Sequence, residues 1–228
     1  MTLLISIPGV LPLVFLAAFF AVLYWLRFCF RTASWAKTVV KTCAVLALML
    51  AAWLAGGPTA LILALLFCAL GDYLLSRPSE AQFVAGIGAF AVGHIAYVVL
   101  FLGHPDARFD ALLDMPQSGG LALLAVFGLL MVLLLWPRAG VMRLPVLIYI
   151  PVILSMGAGV LTLPTLGPLA LALPAALLFI LSDFTLAVEL FVLPDGHRLR
   201  RYTPFVVWPT YWGAQLLFFL AFAGLSPV

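Results

Sequence analysis

The sequence predicts an all-α fold: a polytopic membrane bundle of about eight transmembrane helices, with residues 1–228 forming a single transmembrane domain. Three observations carry this. Of the 228 residues, 66% are hydrophobic and only 8% charged, against about 25% charged in a soluble domain. A chain of this length has too much surface to hide that apolar content from water, so lipid must be its solvent. The apolar residues fall into stretches of about 20, the length that crosses a hydrocarbon core. The basic residues gather in alternate connections between those stretches.

The first span, about 6–26, follows an N-terminus (Met1 to Gly9) with no basic segment, and it runs to about Trp25. That length fits a first transmembrane helix better than a cleaved signal peptide. The second, about 37–55, opens with Lys37 and Lys41 and stops at Gly56-Gly57-Pro58. The third, 59–76, ends at Arg77-Pro78-Ser79-Glu80, and the fourth covers 81–102. The longest break, Gly103 to Ser118, holds Asp106, Asp110 and Asp114. The fifth span, 119–136, ends at Trp136-Pro137-Arg138; the sixth is 143–162, the seventh 168–193 and the eighth 205–224. No water-soluble domain fits between them.

Orientation follows from Lys and Arg in short loops. The odd-numbered connections and their flanks carry Arg27, Arg31, Lys37, Lys41, Arg77, Arg138, Arg143, Arg198, Arg200 and Arg201, and the even-numbered ones only Arg108. The odd loops are therefore expected in the cytoplasm and both termini on the other side. The formal charge of +3 is too small to indicate nucleic acid. Three scattered cysteines, Cys29, Cys43 and Cys68, give neither a disulfide framework nor a zinc site and read as small packing residues.

One stretch echoes another. Leu66-Phe67-Cys68-Ala69-Leu70-Gly71-Asp72-Tyr73-Leu74-Leu75 resembles Leu178-Phe179-Ile180-Leu181-Ser182-Asp183-Phe184-Thr185-Leu186 after a one-residue slip. Both contain small–Asp–aromatic–x–Leu, on the third and seventh spans, which run in the same direction. Two four-helix halves related by an axis along the membrane normal would produce this; so would chance likeness between apolar helices.

Ionisable groups inside spans are costly and usually mark function. Asp72 lies roughly 6 Å below the end of the third span at about 1.5 Å per residue, and Asp183 has a matching depth. Both are expected to reach one cavity open to the cytoplasmic leaflet. Two carboxyls sharing a low-dielectric site can divide labour, one donating a proton and the other stabilising a developing cation or activating water. Alternatively, each Asp only hydrogen-bonds neighbouring helices. His94 and Tyr97 share a face of the fourth span beside a small-residue stripe, Ala85, Ala89 and Gly93. A lone helical His is as often a packing residue. Tyr211 and Gln215 share a face of the eighth span after Trp208-Pro209-Thr210, and Trp208 and Trp212 read as interfacial anchors. Lys37 and Lys41 could hold a lipid phosphate, or simply mark the cytoplasmic side. No HExxH, GxSxG elbow or P-loop occurs. The sequence therefore gives no sign of a metal, a cofactor or a serine nucleophile.

At these residues the chain resembles the lysoplasmalogenase-like, or YhhN-type, membrane family. The likeness rests on Leu66 to Leu75, on Phe83-Val84-Ala85-Gly86-Ile87-Gly88-Ala89-Phe90 leading to His94 and Tyr97, on Leu178 to Asp183, and on Thr210-Tyr211-Trp212-Gly213-Ala214-Gln215, with Lys41 as the basic residue of the second span. These motifs run in the family's order over most of the chain. The resemblance implies hydrolysis of the vinyl-ether bond of a lysoplasmalogen to a fatty aldehyde and glycerophosphoethanolamine or glycerophosphocholine. By the same token Asp72 and Asp183 would be catalytic, and His94, Tyr97, Tyr211 and Gln215 would position water or headgroup. Lys41 would meet the phosphate of the lysophospholipid substrate. Two other classes suit the residues taken alone: a proton-coupled lipid or small-solute transporter, and a non-catalytic membrane scaffold.

Overall fold

The computed structural model describes residues 7–224. Residue 6, where the first span was expected to begin, and most of the N-terminal stretch weighed against a signal peptide lie outside them. Eight α-helices run through the described residues: α1 Val10–Arg27, α2 Trp35–Leu54, α3 Thr59–Leu75, α4 Glu80–Leu102, α5 Gln117–Leu135, α6 Arg143–Val160, α7 Ala172–Phe191 and α8 Thr203–Phe222. Seven of the eight segments are long and apolar enough to cross a membrane, and α3 falls just short at 17 residues. The protein is a polytopic helical membrane bundle.

The helix ends have local causes. α1 starts at Val10, later than expected, because Pro8 and Gly9 form a turn in which Gly9 has φ 94°, a conformation that suits glycine. Ser34 caps α2 by accepting the Lys37 N–H at 3.2 Å. α7 begins after a 3₁₀ turn at Gly167–Leu171, which absorbs the start of the expected seventh span. In α8, Pro209 has no N–H to give to the Phe205 carbonyl one turn earlier. That carbonyl instead accepts Trp25 Nε1 at 3.2 Å, tying α1 to α8. Backbone groups freed inside a membrane must find such partners.

Consecutive helices pack on one another except α4 and α5, which share no comparable seam; the remaining helix seams are α4 on α6, and α8 on α2, α1 and α3. Exchanging α1–α4 with α5–α8 turns the α4–α6 seam into the α8–α2 seam, the relation a duplicated four-helix unit would show. The α1–α8 and α3–α8 seams have no comparable counterparts. α3 and α4 are the closest pair because glycines face the partner helix. A Cβ on Gly71 would stand 2.5 Å from the Phe90 ring, and one on Gly93 would stand 2.9 Å from Cys68 Sγ. The small-residue stripe is thus Gly86, Ala89 and Gly93, while Ala85 is exposed. The two tryptophans expected as interfacial anchors also hydrogen-bond to neighbouring helices. Trp208 is buried and donates to the Ala21 carbonyl at 2.9 Å, and Trp212 donates to the Ala44 carbonyl at 3.1 Å.

Candidate active site

Asp72 lies in the last turn of α3, and its side chain is sealed from the surface. Two helices reach it. From α2, Lys41 Nζ stands 3.0 Å from Oδ1, an ion pair; from α8, the Tyr211 hydroxyl donates to Oδ2 at 2.8 Å. Lys41 has little access to the surface, with 17% of its side chain exposed, and stands 6.0 Å above the Trp208 ring. Ser76 Oγ bonds back to the Asp72 carbonyl at 2.7 Å and closes the end of α3.

Asp183, on α7, has partners of a different kind. The Tyr149 hydroxyl, from α6, donates to Oδ2 at 2.5 Å, and His94 Nε2, from α4, lies 3.8 Å from the same oxygen. His94 Nδ1 is 2.7 Å from the Phe90 carbonyl, which can only accept, so Nδ1 carries a proton. In the neutral imidazole Nε2 then carries the lone pair, and at 3.8 Å it is too far from Asp183 Oδ2 for a hydrogen bond. The Tyr149 oxygen lies 3.4 Å from His94 Nδ1, so one hydroxyl touches both the ring and the acid. Next in sequence, Ser182 donates to the Val207 carbonyl at 3.0 Å and pins this part of α7 to α8.

The two acids face one cavity of about 440 Å³. Lys41, Tyr149 and Tyr211 share its lining, and its walls are mainly apolar, with Phe90, Met131 and Ile150 among them. Ala33, Arg77 and Pro78, in the connections that carry the basic residues, place its mouth at that end of the bundle. A pocket of roughly 300–1,000 Å³ lined by apolar groups with a few polar ones is what a small ligand site looks like.

Of the residues singled out from sequence, the structure thus brings together Lys41, Asp72, Asp183 and Tyr211. His94 touches Asp183 from behind and is itself fully buried. Tyr97 and Gln215 do not reach the cavity. The Tyr97 hydroxyl donates to Gln215 Oε1, joining α4 to α8 at a fully buried point. Lys37 lines the cavity but spends its ammonium on loop carbonyls, those of Arg31 at 2.5 Å and Cys29 at 3.4 Å. Tyr149 is the residue that sequence reasoning missed. The internal echo held the signal, because an acid that takes a partner from α2 in one half should take one from α6 in the other.

The chain is similar in sequence to known membrane proteins. Residues 36–222 match the model of the YhhN family. The chain is 35% identical over 202 residues to lysoplasmalogenase TMEM86B of Homo sapiens, covering 86% of this chain and 78% of that protein. It is 32% identical over 182 residues to the uncharacterized membrane protein YhhN of Escherichia coli O157:H7, covering 76% of this chain and 79% of the relative. No solved structure matches the chain.

Proposed function

The chain belongs to the YhhN family, and from that premise we propose that it is an intramembrane hydrolase of the vinyl-ether bond of lysoplasmalogens. The products are a fatty aldehyde and glycerophosphoethanolamine or glycerophosphocholine. One observation carries the chemistry: two carboxyls line one apolar cavity, one paired with an ammonium and the other held by neutral groups. The name of the human relative supports the substrate class.

Vinyl-ether hydrolysis begins with a proton delivered to the alkene carbon remote from oxygen, which leaves an oxocarbenium ion. Water adds to that cation and gives back a proton, and the hemiacetal collapses to aldehyde and alcohol. The steps need a donor, a nearby anion and water. A buried carboxylate is costly without a cation, and among the described residues no Lys or Arg pairs with Asp183. Its neutral acid form suits its Tyr149 and His94 surroundings, so Asp183 is the proton donor. Asp72, charge-balanced by Lys41, is the anion that faces the oxocarbenium ion and orients water, with Tyr211 fixing its second oxygen. His94 and Tyr149 position Asp183. Lys41 also meets the substrate phosphate where the headgroup enters. By the bias of basic residues, the cavity mouth faces the cytoplasm and both termini lie opposite.

Purified protein incubated with a lysoplasmalogen and a matched acyl lysophospholipid tests the reading, with aldehyde and fatty acid followed by mass spectrometry. Aldehyde from the vinyl ether alone, lost in Asp72→Asn and in Asp183→Asn, is expected. Hydrolysis that persists in both variants would refute the two-carboxylate mechanism. The exchange relation between the α4–α6 and α8–α2 seams favours one rival, a proton-coupled carrier. It predicts gradient-driven uptake into vesicles without bond cleavage.

A further inference from the structure

A second cavity lies beyond the acids, open along the outside of the bundle where Leu123, Val126 and Leu177 are exposed. It has a volume of about 1010 Å³ and is bounded by α5, α6 and α7. Met115, Leu161 and Leu169, near its far end, belong to the connections opposite the mouth of the first cavity. Of its lining side chains, only Gln117 and Thr165 bear N or O atoms. Phe127 of α5 and Ile180 of α7 line both cavities, and Phe127 packs edge-on against Phe184, with ring centroids 5.5 Å apart. The two spaces therefore lie on either side of Phe127 and Ile180, a single helical turn from Asp183.

We propose that this second cavity is the hydrocarbon-chain site of the single-chain lipid whose ether bond sits between Asp72 and Asp183, with Phe127 and Ile180 as the throat; this rests on the hydrolase reading above. Three features of the molecule argue for it. The basic mouth and Lys41 fix the phosphate end of the ligand, so its chain must point inward, away from the mouth. The first cavity is too small for a headgroup, a glycerol and a long chain together, since pockets at the lower end of roughly 300–1,000 Å³ enclose only drug-sized molecules. The second cavity supplies an apolar continuation. From Asp183 to Leu169 is about 20 Å along α7 and the 3₁₀ turn before it, at about 1.5 Å per residue, enough for an extended chain to cross most of a hydrocarbon core of about 30 Å. Apart from Gln117 and Thr165 the lining side chains are apolar, which suits a hydrocarbon.

The experiment uses a non-hydrolysable probe, an alkyl lysophosphocholine with a diazirine at the end of its chain, photolysed with the intact protein in nanodiscs. Labelling on α5 and α7 at the second cavity, competed by unmodified hexadecyl lysophosphocholine, is expected. Scattered labelling on outward faces of the bundle, or labelling that the competitor leaves unchanged, would mean surrounding lipid only and overturn the proposal. Two variants line only the second cavity and touch neither acid: Leu173→Trp, which fills it, and Leu124→Ala, which widens it. Leu173→Trp should shift relative affinity from hexadecyl toward octyl lysophosphocholine by about tenfold, the scale on which apolar pockets sense methylenes. Leu124→Ala should shift it the other way. An unchanged chain-length profile in either folded variant would also overturn the proposal. The outcomes separate the two readings. Correct labelling without aldehyde release leaves the chain site standing and refutes the hydrolase, while aldehyde release with scattered labelling does the reverse.

Discussion

Lys41 and Asp72 form an ion pair at 3.0 Å inside the bundle, with 17% and 1% of their side chains exposed. Neither member can be removed without leaving the other charged in a medium that disfavours charge. Lys41→Met is therefore expected to destabilise the protein by about 3–5 kcal/mol, and Lys41→Met/Asp72→Leu by much less. Thermal unfolding of the purified variants in one detergent checks this. A double variant as unstable as the two single losses added together would show that the pair is not what Lys41 contributes.

Tyr149 serves Asp183 through one hydrogen bond of 2.5 Å. Tyr149→Phe keeps the ring and removes the donor. If the tyrosine positions the acid, kcat should fall by about tenfold while KM holds, since the lost contact acts on the proton donor rather than on substrate binding. Asp183→Asn, which removes the proton donor itself, should cost about 10²–10⁴ in kcat. A Tyr149→Phe enzyme that changes KM alone would place the hydroxyl on the headgroup instead.

The eight helices were legible because lipid leaves a spanning segment little choice but an uninterrupted apolar run bounded by charge, Gly or Pro. Asp72 and Asp183 were legible for the converse reason, as carboxyls in places where a carboxyl is expensive. What faced them was not. With nearly every position apolar, periodicity carries no facing signal, so Ala85 could not be told from Gly86 as the residue against α3. Trp208 looked interfacial by type, yet it is turned inward by a carbonyl of α1. Tyr97 and Gln215 show the limit most clearly. Polar residues on the right faces of the right helices read as ligand contacts, but the Tyr97 hydroxyl is spent on Gln215 Oε1.

That hydrogen bond has a consequence for stability. Both side chains are fully buried, and the Tyr97 hydroxyl donates to Gln215 Oε1. Tyr97→Phe leaves a buried carbonyl without its donor, at a cost of about 1–3 kcal/mol. The folded remainder should keep its kcat and KM, because neither residue lines the cavity. Measuring the melting point and the kinetics on the same preparation decides it. Loss of activity at unchanged stability would return Tyr97 to the site.

Gly71 joins the fold to the chemistry. It precedes Asp72, and an added Cβ would lie 2.5 Å from Cδ2 and 2.6 Å from Cε2 of Phe90, a ring buried against the core. Phe90 lines the cavity, and its carbonyl holds His94 Nδ1. Gly71→Ala must therefore push α3 and α4 apart or displace the ring, at about 1–3 kcal/mol for an overpacked core. Either response disturbs the surroundings of both acids, Asp72 through its own helix and Asp183 through His94. The expected phenotype is lowered stability together with lowered kcat. Phe90→Leu in the same chain should restore most of the stability by giving the methyl room, while activity recovers only as far as the His94 contact does. Full recovery of both would mean that the ring does no more than fill space. Recovery of neither would mean that the α3–α4 approach depends on contacts other than this one.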